Sequence, residues 1–319
     1  MITKHSEKTY TREMLIKKTA LLKRLAERSA MGGKRGRTVG KELFFDTEAG
    51  RIRALGYRME IPERLPLFIN MHGGGFILGH PEMDDAYMMN VAEKANVKIL
   101  NVEYSLAPQF PFPAAVNECY SVVKYAWDHP EALGIDGDRI AVGGHSAGGN
   151  ITASICIKNT GTKDFRICCA LLDYPPLDIY TDSALKPRGK GLIARLFLSH
   201  GMSRIFDASY CIHKEERKNP LISPVYASRE QLATFPPTLV ITAGKDSLCA
   251  EGERFRDLLI DAGVDVTHRR FEKSPHGFTL SNRADAKEGW QMMIDHIKRW
   301  TSTTGTVNSS GTAHKNPES

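Results

Sequence analysis

Several absences narrow the class of this 319-residue chain. No apolar run is long enough to span a bilayer. The first residues, Met1 to Lys8, carry no apolar signal core. A cytoplasmic protein with no stable membrane insertion is the expectation. The six cysteines, at 119, 156, 168, 169, 211 and 249, form no CxxC pair and mostly fall in apolar segments. They read as buried free thiols in a reducing compartment, and no metal site is expected. No GxxxxGK[ST] or GxGxxG occurs, which weakens any phosphate-binding reading. One-sided charge is also missing. The net charge is +6 and the pI about 8.9, with Lys and Arg interleaved among Asp and Glu. That describes a solvated surface, and no nucleic-acid partner is expected.

What is present is 41% hydrophobic residues, ordinary for a globular chain with a sizeable core. The length suits one large α/β domain with a lid, or two small domains. Residues 7–29 set Met14, Leu15, Leu21, Leu22 and Leu25 among charges, an amphipathic helix. It packs on its own domain in one reading and lies on a membrane in the other, and packing is preferred. A basic linker follows at 31–37, then a hairpin over 39–47 and 51–59. From residue 65 strands and helices alternate. Strands are expected at 67–71, 97–102, 139–142, 167–172, 238–242 and 264–271. Helices are expected at 82–95, 114–128, 251–262 and 284–300. Such alternation gives a mostly parallel sheet covered by helices on both faces. Residues 175–225 break the rhythm, and 301–319, rich in Ser, Thr, Gly and Asn, read as a disordered tail.

The chain is organised around Gly144-x-Ser146-x-Gly148, between the strand at 139–142 and an apolar helix beginning Ile151-Thr152-Ala153. A strand turning sharply into a helix strains the residue at the turn and needs flanking glycines that carry no Cβ. The Ser146 hydroxyl would then stand above the sheet at the positive end of a helix. An ordinary serine in a glycine-rich turn is the competing reading. Context favours the nucleophile. Asp246 follows the strand at 238–242, and His276 follows the strand at 264–271. Both lie at carboxyl ends of strands, where open α/β sheets place their sites. The order Ser146, Asp246, His276 is that of an α/β-hydrolase. Asp173, Asp178 and Asp182 compete with Asp246 as the acid, and Asp246 is preferred because it precedes the strand leading to His276. Upstream, Met71-His72-Gly73-Gly74-Gly75-Phe76 follows the strand at 67–71. Its glycines let N–H groups turn inward, where with the Ala147 N–H they could hold an oxyanion. A flexible loop or an anion nest is the competing reading.

Five blocks together resemble the hormone-sensitive-lipase-like branch of the α/β-hydrolases. They are His72-Gly73-Gly74-Gly75; Tyr104-Ser105-Leu106-Ala107-Pro108 with Pro111-Phe112-Pro113; Gly144-His145-Ser146-Ala147-Gly148-Gly149-Asn150; Asp246 to Gly252; and His276-Gly277-Phe278. The resemblance covers roughly residues 60–300. It implies a serine carboxylesterase with an α/β-hydrolase fold and a helical cap, formed by about residues 1–35 and 178–222. It implies Ser146, Asp246 and His276 as the triad. Gly74, Gly75 and Ala147 become the oxyanion donors, with His72 and Gly73 supporting the loop. No cofactor is implied, and the partner is a small-molecule ester; a homodimer stays open. Three positions depart from the family pattern. His145 stands where Asp is frequent, Ser105 where Arg is, and Ser247 where Pro is. The cap insertion includes an apolar helix at 191–198. With short cap elements, acyl chains of about eight carbons or fewer are expected. An amidase or deacetylase with the same triad, a non-catalytic receptor on the same fold, and a lipid-surface lipase are the alternatives.

Overall fold

Alternation of side chains along each strand splits the core into two layers, one on either side of a single sheet. The computed structural model describes residues 10–28, 38–191, 194–195 and 198–302. The basic linker at 31–37, half of the apolar helix expected at 191–198, and residues 303–319 of the expected tail lie outside them. The strands are β1 (Lys41–Thr47), β2 (Gly50–Tyr57), β3 (Leu65–Met71), β4 (Lys98–Val102), β5 (Ile135–His145), β6 (Cys169–Asp173), β7 (Thr238–Ala243) and β8 (Val266–Phe271). They form one sheet in the order β1-β2-β4-β3-β5-β6-β7-β8. β1 with β2 and β2 with β4 are antiparallel, and the remaining pairs are parallel.

The longer helices are α1 (Arg12–Arg28), α2 (Asp85–Ala95), α3 (Ala114–Asp128), α4 (Ala147–Thr162), α5 (His200–Tyr210), α6 (Cys249–Asp261) and α7 (Ala284–Thr301). Leu67, Ile69 and Met71 of β3 and Ile140 and Val142 of β5 face α3, α4 and α6. Phe68, Ala141 and Leu171 face α2 and α7 on the other side. β3 to β7 are almost wholly buried, as parallel strands covered on both faces must be. That is why they read as continuous apolar runs.

Most boundaries fall within one to three residues of the sequence expectation, and two of the differences have identifiable reasons. β5 begins at Ile135, because buried Ile135 pairs with Leu65 across a register shift before the polar Asp136 to Arg139 stretch. α7 continues through Thr301, whose hydroxyl donates to the Ile297 carbonyl at 2.7 Å and whose own carbonyl accepts from Arg139 at 2.8 Å. Helix α1 packs on its own domain. Leu15 and Thr19 are buried, and Leu22 joins Met202 around Ile77, Leu78, Ala107 and Phe206. Its Arg12 donates to the carbonyls of Pro108 and Gln109, at 3.2 and 2.6 Å. Among the described residues no helix is long and apolar enough to cross a membrane.

Candidate active site

The carboxyl ends of β3, β5, β7 and β8 converge on one edge of the sheet. β5 ends at His145 and α4 starts at Ala147, so the chain reverses at Ser146 alone. Ser146 takes φ +51° and ψ −119°, a conformation that a side chain rarely adopts. Its N–H donates to the Asp173 carbonyl at 2.8 Å, which holds the strained turn to β6. The turn is tight enough that a Cβ on Gly148 would lie 1.9 Å from the Met71 carbonyl oxygen. Only glycine lets α4 start so close to the end of β3.

The structure brings Ser146, His276 and Asp246 together. Ser146 Oγ lies 3.0 Å from His276 Nε2, and His276 Nδ1 lies 2.6 Å from Asp246 Oδ2. With a carboxylate facing Nδ1, the ring proton is assigned there, which leaves Nε2 as the acceptor for the serine hydroxyl. Asp246 is itself fixed, since its Oδ1 accepts the Leu248 N–H at 3.1 Å. The Tyr174 ring stands edge-on to His276 with centroids 4.9 Å apart. Asp178 and Asp182 are engaged elsewhere, the former by Thr181 and the latter by Arg204.

The glycine loop at the end of β3 lies against the elbow. A Cβ on Gly73 would sit 3.2 Å from the His145 carbonyl oxygen and 3.6 Å from Ser146 Cβ. Gly74 has φ +133°, and a Cβ there would lie 2.0 Å from the Leu78 carbonyl oxygen. The loop closes by the Ile77 and Leu78 N–H groups donating to the Gly74 carbonyl, at 3.2 and 2.9 Å. Among the described residues no protein acceptor takes the N–H of Gly74 or Gly75. Ala147, as the first residue of α4, has no intrahelical acceptor for its N–H. His72 supports this loop from beneath. Its Nδ1 meets the Gly73 carbonyl at 2.8 Å, its own carbonyl accepts from Tyr104 Oη at 2.7 Å, and its ring stacks on Tyr104. Burial pushes the His72 imidazole down to about 4, so the ring is neutral at pH 7.

The three departures from the family pattern have distinct environments. The Ser105 N–H donates to Glu118 at 2.6 Å, and Ser105 is not among the residues lining the cavity in front of Ser146. Ser247 lines the cavity beside Asp246. His145 is buried on the α2 and α7 side of the sheet, with Nδ1 2.8 Å from Asp173 Oδ2. Asp173 also accepts from Thr279 at 2.8 Å, and Thr279 bonds Tyr174 Oη at 2.6 Å. A polar chain thus runs from the residue before Ser146 to the segment after His276. Burial disfavours charge on His145, but the carboxylates of Asp173 and Asp84 outweigh it and hold the imidazole above its ordinary value. Motif spacing gives no sign of this second His–Asp pair, because it depends on β5 and β6 aligning His145 with Asp173.

A cavity opens in front of Ser146. The glycine loop after β3 and Leu78, Met83 and Leu280 supply apolar wall, and the stretch after β6 and α5 supply Ile179, Lys186, Ser203, Phe206 and Asp207. Lys186 Nζ donates to Glu251 Oε2 at 2.6 Å and to the Asp178 carbonyl. Among the described residues no group of His, Cys, Asp and Glu is arranged to hold a metal ion, and all six cysteines are free.

A strained serine between strand and helix, a histidine and a carboxylate on later strand ends, and a facing glycine loop define an α/β-hydrolase. Residues 68–280 match the family model described as the alpha/beta hydrolase fold. The chain belongs to this family, in its hormone-sensitive-lipase-like branch. It is 30% identical over 256 residues to an arylesterase of Saccharolobus solfataricus, across 77% of this chain and 81% of that protein. It is 32% identical over 244 residues to the carboxylic ester hydrolase LipN of Mycobacterium tuberculosis, across 74% of this chain and 63% of LipN. Among solved structures, the hyperthermophilic esterase of Pyrobaculum calidifontis superposes with a TM-score of 0.75 at 31% identity, covering 90% of this chain and 92% of that one. A thermostable esterase of Pseudomonas putida gives 0.78 at 25% identity, covering 89% and 90%.

Proposed function

We propose that this protein is a serine carboxylesterase that acts on small to medium esters through an acyl-enzyme. The ester-hydrolase class rests on the family and on relatives named as esterases. The observation that carries the residue assignment is the continuous chain Ser146 Oγ, His276 Nε2, His276 Nδ1 and Asp246, at 3.0 and 2.6 Å. In this reading Ser146 Oγ attacks the ester carbonyl carbon while its proton passes to His276 Nε2. The carbonyl π pair moves onto oxygen, and the N–H groups of Gly74, Gly75 and Ala147 hold the resulting oxyanion. Collapse expels the alcohol, which takes the proton from His276. Water then attacks the acyl carbon as it gives a proton to His276, and collapse breaks the bond to Ser146 Oγ, which takes that proton back from His276 as the acid leaves. Asp246 keeps the imidazole in the acceptor tautomer and stabilises its cation.

The cavity volume of about 130 Å³ is below the roughly 300–1,000 Å³ of sites for drug-sized ligands, which supports acyl chains of about eight carbons or fewer. A cytoplasmic location belongs to the same reading. The test is hydrolysis of p-nitrophenyl esters of graded acyl length by the wild type and Ser146→Ala, with fluorophosphonate labelling of both. Activity and labelling should be lost in Ser146→Ala, and butyrate should be cleaved faster than palmitate with both in solution. Undiminished labelling of the variant would remove Ser146 as nucleophile. Cleavage of the matching p-nitroanilides at comparable rates would favour an amidase.

A further inference from the structure

Helix α5 forms one wall of the cavity, and it turns a polar stripe toward the space in front of Ser146. His200, Ser203 and Asp207 recur at one-turn spacing on that wall, next to Phe206, whose ring would be 2.8 Å from a Cβ on Gly75. The other charged groups of this wall have contact partners. Lys186 is held by Glu251 at 2.6 Å. Asp178, which precedes Ile179 of the lining and is not itself part of it, accepts from Thr181 at 2.9 and 2.7 Å and has Arg254 at 3.8 Å. His200 Nε2 faces Arg188 Nε at 3.4 Å. The Asp207 carboxylate is the exception. Among the described residues it has neither a hydrogen-bond donor nor a cation in contact, although it lines an otherwise largely apolar cavity. A half-buried carboxylate without a partner is costly unless something else supplies the donor.

We propose that Asp207 is a specificity-determining residue, and that the cavity selects esters carrying a basic amine whose ammonium docks on the Asp207 carboxylate. This rests on the ester-hydrolase reading and narrows its substrate class. An ammonium group suits the site because it supplies both the missing donors and the missing opposite charge. The Ser203 hydroxyl, one turn earlier on the same wall, offers a second acceptor. Other groups also act on Asp207. Burial raises its carboxyl to about 7, Lys186 and Arg217 pull it down, and Glu251 and Asp178 push it up. Preference for amine esters should therefore grow as pH rises through about 7, while the substrate amine is still protonated.

The experiment compares isosteric pairs with the full-length protein at pH 8. One pair carries the amine on the alcohol side: 2-(dimethylamino)ethyl butyrate against 3-methylbutyl butyrate. The other carries it on the acyl side: methyl 4-aminobutyrate against methyl pentanoate. Each amine-to-neutral ratio of kcat/KM is compared between the wild type and Asp207→Asn, which cancels intrinsic reactivity. In at least one pair the ratio should fall roughly tenfold in Asp207→Asn, about the value of one charge-assisted contact in a partly buried site. Equal ratios in both pairs would overturn the proposal. So would an equal loss of neutral and amine ester turnover in a folded variant, since that marks a structural role only. A binding arm separates this from the esterase reading. Calorimetry on Ser146→Ala protein should find the amine ester of one pair bound more tightly than its neutral partner, and tighter at pH 8 than at pH 6. If no ester is cleaved, the esterase reading falls while binding still decides the amine site.

Discussion

Replacing Gly148 with alanine sets two opposed effects against each other within one residue. Gly148 lies in the first turn of α4, where alanine is the better helix former by up to about 1 kcal/mol. The new Cβ would lie 1.9 Å from the Met71 carbonyl oxygen, 2.6 Å from the Met71 carbonyl carbon and 2.8 Å from the His72 carbonyl oxygen. Ordinary contact begins near 3.4 Å, so the start of α4 and the end of β3 must separate by about 1.5 Å. Overpacking of this kind costs about 1–3 kcal/mol, which exceeds the propensity gain. The functional loss should be larger than the loss in stability. Ser146 sits two residues before Gly148, and the glycine loop begins immediately after Met71. In the proposed mechanism the shift acts on the distance between nucleophile and oxyanion donors, where a 1 Å error costs about a hundredfold. A fall in kcat/KM for p-nitrophenyl butyrate of at least about a hundredfold is expected, with a lower Tm. Gly161→Ala is the control. It lies in the same helix, and a Cβ there meets nothing within 4 Å. It should raise stability by about 0.4–1 kcal/mol and leave turnover unchanged. If Gly148→Ala behaved like Gly161→Ala, with wild-type kcat/KM and a higher Tm, the close approach of α4 to β3 would be refuted.

Two further outcomes follow from the same geometry. Asp246→Asn should lower kcat on the order of 10³–10⁴, whereas Asp173→Asn should chiefly lower stability, because its partner is His145 and not His276. Near-normal turnover in the first variant, with a folded but inactive second, would reverse the assignment of the acid. Stability should also fall on mild acidification. Burial lowers His72 and His296 from 6.5 to about 4, so both resist protonation in the folded state. The unfolded chain binds those protons first, so each contribution is complete above pH 6.5 and is lost as pH falls from 6.5 toward 4, about 3 kcal/mol per histidine. Urea midpoints across that range should drop, and His296→Gln should flatten the drop. An unchanged slope would remove His296 from the explanation.

The architecture was legible in the sequence where burial on both faces writes itself as apolar runs, as in 67–71 and 238–242. It was less legible where strand residues are polar. Asp136, Gly137 and Asp138 belong to β5 only because Ile135 is drawn under Leu65. The relation of Ser146, Asp246 and His276 was readable from chain order, since each follows a strand in a parallel sheet and their shared edge is a matter of topology. The His145–Asp173–Thr279 chain was not readable. Its members are far apart in sequence, and their contact depends on strand register and on the packing of α7, whose Trp290 donates to the Thr279 carbonyl at 2.9 Å. The cavity wall of α5 was hidden for a related reason. His200 to Tyr210 mixes Gly, Ser, Asp and aromatics, and only its docking over Gly75 reveals which side faces the site.

The sheet order distributes the site unequally between centre and margin. β5 and β3, which present Ser146 and the glycine loop, pair with each other and have strands on both outer sides, whereas β8, which leads to His276, is the last strand of the sheet. Backbone amides of β3 and β5 should therefore exchange with solvent only in the rarest, most global openings, while those of β8 are open to fraying at far lower free energy. A partial opening at that margin would withdraw the histidine while leaving the elbow intact. Loss of turnover in rising denaturant should accordingly precede loss of the bulk circular-dichroism signal, and the intact elbow would let activity return on dilution without refolding of the whole chain.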